Sequence, residues 1–80
     1  MNYAFRGYSQ EIIRNNKCAD GTSWGVRLGR YCIQQGIPVK DVSDFFGVTR
    51  QTVYNWFDGT HPPMPMFQEA IEQFLKRAKR

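Results

Sequence analysis

Histidine occurs once in these 80 residues and cysteine twice, with Cys18 and Cys32 far from any C-x-x-C spacing, so no zinc-ligand set can be built around His61. So small a cysteine complement fits a reduced, intracellular protein rather than a disulfide-stapled one. Long apolar runs are missing too, and no basic stretch followed by a hydrophobic one opens the chain, so neither a membrane span nor a signal peptide is indicated and a cytoplasmic location is expected. Strand-like alternation, repeats and low-complexity segments are absent, which leaves an all-α class. Catalytic constellations are lacking as well. His61 has no nucleophile at a recognisable spacing, Gly21-Thr-Ser-Trp-Gly25 lacks the lysine of a phosphate loop, and no carboxylate pair sits in apolar surroundings. An enzyme is not expected, nor a cofactor, a metal or a small-molecule substrate.

What the chain does contain is 41% hydrophobic and 15% aromatic residues, enough for one modest core. A net charge of +4 and a pI near 9.4 favour an anionic partner. The charge is unevenly spread. Residues 1–36 carry Arg6, Arg14, Lys17, Arg27 and Arg30 against Glu11 and Asp20, and the C-terminal end carries Lys76, Arg77, Lys79 and Arg80. Between Ile37 and Gly59, Lys40 and Arg50 face Asp41, Asp44 and Asp58, so phosphate affinity has to come partly from the flanks.

Residues 1–21 read as an N-terminal appendage of uncertain structure, in which Ser9 can cap one or two helical turns through Ile12 and Ile13. Residues 22–80 read as the domain proper. Thr22 or Ser23 caps a helix from about Trp24 to Gln35, and Gly36 suits its left-handed terminus. Trp24, Leu28, Tyr31 and Cys32 share one face of it while Val26 and Ile33 lie roughly opposite, so the helix needs two partners: the bundle on one side, and on the other Tyr3, Phe5, Tyr8, Ile12 and Ile13 or a second subunit. Pro38 starts a short helix whose apolar arc is Val39, Val42, Phe45 and Phe46, ending at Gly47. Thr49 caps the next helix, with Val53, Trp56 and Phe57 inward, and Gly59 closes it. After the stiff stretch Thr60-His-Pro-Pro-Met, Pro65 opens a last helix with a stripe of Phe67, Ala70, Ile71, Phe74 and Ala78 and an i,i+4 pair of Glu72 and Lys76. Trp24, Phe45, Phe46, Trp56, Phe67 and Phe74 are expected in the core rather than on a base-stacking platform.

The segment Asp41 to Gly59, DVSDFFGVTRQTVYNWFDG, carries the function. Two short amphipathic helices meet at Gly47, the one residue type that takes the sharp turn of a helix-turn-helix without strain, and Val42, Phe46, Val48, Val53 and Trp56 lock their crossing. That leaves Arg50, Gln51, Tyr54 and Asn55 facing outward. Arginine addresses guanine O6 and N7, and glutamine or asparagine addresses adenine N6 and N7, so these four are the expected base contacts. Thr49, Thr52, Arg27, Arg30, Lys40 and His61 are the expected phosphate contacts. The charged run Lys76, Arg77, Lys79 and Arg80 is expected to be a solvated helix end complementing the dipole, with a DNA or partner role as the alternative.

At these residues the chain resembles the phage-repressor and Cro type of helix-turn-helix, often called XRE-like, through Val42-Ser43, Gly47-Val48-Thr49, Thr52-Val53, Trp56 and Gly59. The resemblance implies a compact, lambda-repressor-like bundle of four to five helices, a helix Thr49–Phe57 that enters the major groove of double-stranded DNA, and a homodimer on near-palindromic operators. Three positions depart from the type. Val39 stands where a phosphate-binding glutamine is usual, and Cys32 and Phe57 stand where a buried Arg and Glu pair joins the first helix to the reading helix. Losing both charges together keeps the fold sound, since only a stranded partner is costly. The expected function is a sequence-specific regulator of repressor or Cro kind. The alternative is the DNA-recognition subunit of a larger assembly, such as a small terminase subunit.

Overall fold

Side-chain caps open two of the helices, and left-handed glycines end three. The computed structural model describes residues 8–78, with side chains through residue 76, and within them lie α1 (Gln10–Cys18), α2 (Trp24–Gln35), α3 (Val39–Phe46), α4 (Arg50–Asp58) and α5 (Pro65–Ala78). The class is all-α, with no strand among the described residues. Ser9 and Thr49 accept from the N–H groups of Ile12 and Thr52, satisfying donors that α1 and α4 cannot satisfy internally. Ser23 precedes α2 without a side-chain cap bond. The turn before it is held instead by Asp20, whose carboxylate accepts from the Thr22 N–H and hydroxyl and is thereby held below its usual pKa. Gly47 ends α3 at φ 69°, a left-handed conformation that a β-carbon would strain, and the chain turns there into α4.

The core forms where α2, α3 and α4 converge. Leu28, Cys32, Val42, Val53 and Phe57 are sealed from solvent, Ile71 of α5 joins them, and the Phe46 ring meets Trp56 edge-on at 5.6 Å and Phe67 at 6.2 Å. Burial of the Cys32 thiol pushes its pKa up to about 12, and burial first of all raises that of Tyr8, whose hydroxyl donates to the Ile37 carbonyl. Both groups keep their protons in the fold above the pH at which an unfolded chain gives them up. Their contribution is complete below pH 9.0, the ordinary thiol value, and is lost as pH rises toward about 12. An alkaline titration followed by circular dichroism is expected to show unfolding in that window, and alkylation of the native protein at mildly alkaline pH is expected to label exposed Cys18 and spare Cys32.

Two glycines of α2 leave room for α4 to approach closely. A β-carbon at Gly25 would lie 2.8 Å from the Trp56 carbonyl oxygen, and one at Gly29 would lie 2.7 Å from Phe57 Cγ. One turn apart on a single face, they let the backbone of α4 settle directly on α2.

Helix α1 covers the second apolar face of α2. Expected as one or two turns of an appendage, the segment after Ser9 is a nine-residue helix that packs on both α2 and α4. Ile13 of α1 and Ile33 of α2 border one concavity, and Tyr8 is buried against Phe57 with ring centroids 6.0 Å apart. Tyr3 and Phe5, also proposed as cover, lie outside the described residues. Asn16 is only 2% exposed, and its amide donates to the carbonyls of Val26 at 3.2 Å and Phe57 at 2.7 Å. The Phe57 carbonyl is among the last four of α4, which have no partner within the helix, so Asn16 caps α4 from another element. Asn16→Ala leaves both buried acceptors short of that donor and is expected to cost about 2 kcal/mol, measured as a lowered denaturation midpoint at unchanged m-value.

Two expectations need correction. Phe45 is not core: it is 52% exposed, because Val42 and Phe46 already fill the side of α3 that faces α4. Glu72 and Lys76 do not pair; among the described residues the ion pair is Lys40 with Asp44 at 3.2 Å on exposed α3. The side chains of Arg77, Ala78, Lys79 and Arg80 are outside the described set.

Candidate nucleic-acid interface

The α3–Gly47–α4 unit presents one polar helix face on an apolar base. Val42 and Phe46 of α3 and Val53 and Trp56 of α4 are buried between the two helices, and the Val48 N–H donates to the Ser43 carbonyl across the turn at 3.1 Å. Ser43 is itself buried and its hydroxyl returns to the Lys40 carbonyl, so a small residue is needed there to seat α3. These contacts fix which side of α4 faces away from the bundle.

At the start of α4, the Thr49 hydroxyl is used within the helix end: it accepts from the Thr52 N–H at 3.2 Å and lies 3.0 Å from the Thr52 hydroxyl. The Arg50 and Gln51 N–H groups, which no helix satisfies internally, are left at the open end as donors suited to an anion. Arg50 and Gln51 are exposed, and Tyr54 and Asn55 are half-buried. Gln51 Nε2 donates to Asn55 Oδ1 at 3.1 Å, which holds the two amides in one plane of reach and leaves the Asn55 amino group free to donate outward. Tyr54 also packs against the core.

Each flank of this face is bounded. On one side α1 lies alongside, and Ser9, Glu11, Ile12 and Asn15 form a concavity with Gln51, Tyr54 and Asp58. On the other, the loop after α4 closes in: His61 donates its N–H to the Asn55 carbonyl at 3.2 Å, Thr60 donates to Asp58, and Pro63 is buried where a β-carbon at Gly25 would come within 3.0 Å of its Cδ. His61 and Met64 thereby share a concavity with Thr52, Asn55 and Trp56. The charge around α4 is mixed: Glu11 and Asp58 line the concavity on the α1 side, and Arg50 stands exposed at the start of the helix.

Of the residues expected to touch nucleic acid, the fold brings Thr49, Arg50, Gln51, Thr52, Tyr54, Asn55 and His61 together on or beside α4. It places three others elsewhere. Arg30 lies between α1 and α2, where its guanidinium donates to the carbonyls of Asn16, Lys17 and Ala19 and so caps α1. Arg27 sits over the Trp24 ring at 4.8 Å, in a groove between α2 and α5 that no α4 residue borders. Lys40 is held by Asp44 on α3. Reading the sequence missed α1 as a wall of the site. The signal was there: Asn16 lies four residues after Ile12 and three after Ile13, on their apolar side of the helix, where a polar residue is kept only with buried partners.

Residues 30–60, the second half of α2 through the end of α4, match a family model described as a homeodomain-like domain. That span is less than half of the chain, and it supports a helix-turn-helix of DNA-binding kind without singling out the phage-repressor type. No curated protein and no solved structure matches the chain. Among the described residues no helix is long and apolar enough to cross a membrane.

Proposed function

We propose that the chain is a sequence-specific double-stranded DNA-binding protein, a cytoplasmic transcriptional regulator of repressor or Cro kind, that lays α4 in the major groove. The observation that carries this is the face of α4 itself: Arg50, Gln51 and Asn55 project from a helix whose opposite side is locked to α2 and α3, with unsatisfied N–H groups at its leading end. Side chains on a rigid element can discriminate base edges, whereas the same residues on a loose one cannot. Arg50, Gln51 and Asn55 read bases in this scheme, and Tyr54 packs beside them. Phosphates fall to the N-terminal N–H groups of α4, to Thr49 and Thr52, to His61 at its border, and to Lys40 from the exposed side of α3, where its pair with Asp44 is solvent-exposed. Arg27 and Arg30, occupied elsewhere in the fold, have a smaller part.

Selection of bound sequences from random duplexes at a fixed salt concentration tests the reading, and an enriched motif is the expected outcome. Asn55→Ala is then expected to relax discrimination at one base position by about 1–3 kcal/mol, while Lys40→Ala weakens all sequences alike and lowers the salt slope by about 1. Because Gln51 donates to Asn55, Gln51→Ala and Asn55→Ala are expected to be non-additive in a double-mutant cycle. Equal losses on every duplex for all of these variants would remove base reading and leave only phosphate affinity.

A further inference from the structure

Between α1 and α2 lies a groove of about 590 Å³, bordered by Ile13, Asn16 and Lys17 of α1 and by Arg30, Ile33 and Gln34 of α2. Small-molecule sites have volumes of roughly 300–1,000 Å³. The apolar part of the groove is Ile13 and Ile33, and both of its charged residues are cations. Neither concavity beside α4 shares a residue with it, so it can fill while the polar face of α4 stays open.

Three polar groups converge on this groove. Asn16 is 2% exposed, and its amino group donates to the Val26 and Phe57 carbonyls, which fixes the amide and leaves Oδ1 as an acceptor directed elsewhere. No described residue donates to Oδ1. Since no side-chain oxygen or nitrogen among the described residues is sealed without a partner, Oδ1 keeps access to the groove that Asn16 borders. Arg30 reaches its three carbonyls through Nη2 alone, so the guanidinium is held in place while Nε and Nη1 still carry protons to donate. Lys17 adds an exposed ammonium at the rim. No carboxylate borders the groove among the described residues; Asp20, close enough to feel Arg30, is bonded to Thr22 instead.

A cationic rim beside an apolar floor and one buried acceptor suits a small amphipathic anion and opposes a cation. We infer that the α1/α2 groove binds a small molecule with an apolar body, a carboxylate and one hydrogen-bond donor. The body lies on Ile13 and Ile33, the carboxylate takes N–H groups of Arg30 and the charge of Lys17, and the donor meets Asn16 Oδ1. Because Asn16 also caps α4, the occupied groove ties α1 more firmly to both of its neighbours.

Titration of the full chain with indoleacetate, followed by proton–nitrogen NMR without DNA, tests this independently of the DNA-binding reading. Saturable shifts centred on the Asn16 side-chain amide and on the backbone around Lys17 and Ile33 are expected, with a Kd on the order of 1 mM, as so small a probe allows. The corresponding neutral alcohol is expected to bind about tenfold more weakly, and the N-methyl derivative, which has no N–H, about threefold more weakly. Lys17→Glu is expected to weaken indoleacetate about fivefold, whereas Lys76→Glu, an equal change of charge on α5, leaves it unaltered. Absence of saturable shifts, shifts spread over α4 and α5, comparators that bind as tightly as indoleacetate, or a Lys17→Glu variant that binds as the unmodified chain does would each overturn the proposal. So would binding that appears only in the variant Tyr3→Ala/Phe5→Ala, because the groove would then belong to the chain's own N-terminal residues.

Discussion

Gly29→Ala is expected to destabilise the protein by about 3 kcal/mol, as large an effect as one added methyl group ordinarily has. The new β-carbon would stand 2.7 Å from Phe57 Cγ, 2.8 Å from Asn16 Nδ2 and 2.9 Å from Phe57 Cβ. None of these is the free end of a flexible chain. Phe57 is fully buried, and the Asn16 amide is fixed by two carbonyls, so relief requires α4 to lift off α2. For a domain of this size the loss is a large part of total stability, which is about 4–12 kcal/mol. A fall of roughly 12–24 °C in the melting temperature is the corresponding readout. Alanine is the better helix former, so a neutral or raised melting temperature would show that the α2–α4 contact can relax and is not the tight seam described above.

Phe57→Ala is expected to cost about 4 kcal/mol, through lost transfer free energy and the cavity left behind. The site is poorly placed to collapse. Phe57 lies where α1, α2 and α4 meet: its ring touches the Gly29 surface of α2 and packs tilted against Tyr8 at 6.0 Å between centroids, while its carbonyl takes the Asn16 amide. Truncation removes the ring and leaves the carbonyl bond, so the two effects separate. Asn16→Ala removes the bond and keeps the ring. A double-mutant cycle between them, read from urea denaturation, is expected to show coupling because both hold the last turn of α4 in place. If Phe57→Ala costs less than Asn16→Ala, the packing at this junction is not what secures α4.

These two residues also mark the boundary between what was legible in the chain and what was not. The helix limits were legible, because they depend on residues acting within one turn of themselves: Ser9, Thr49 and Pro65 open helices as their side chains or fixed φ dictate, and Gly36, Gly47 and Gly59 close them. The inward stripes of α3 and α4 were legible from periodicity, and with them the outward set of Arg50, Gln51 and Asn55. Phe45 was misplaced because an apolar residue at the edge of a stripe is assigned by angle alone, and only the partner helix decides whether there is room for it. Arg27 is an exposed cation, as the helical period indicates, whereas Arg30 is half-buried; the acceptors that occupy Arg30 are carbonyls 11 to 14 residues away in sequence, which no local pattern reveals.

By itself, then, the amino-acid sequence determined an all-α chain with a helix-turn-helix at its centre, since capping, turn geometry and helical period are local physics. Tertiary structure decided the rest. It brought α1 alongside α4, turned Asn16 into a cap for α4, committed Arg30 to α1, and left Phe45 and the α2/α5 groove uncovered. Each of these depends on distances between segments remote along the chain, where close packing and the pairing of buried polar groups, rather than any residue's own preference, select the arrangement.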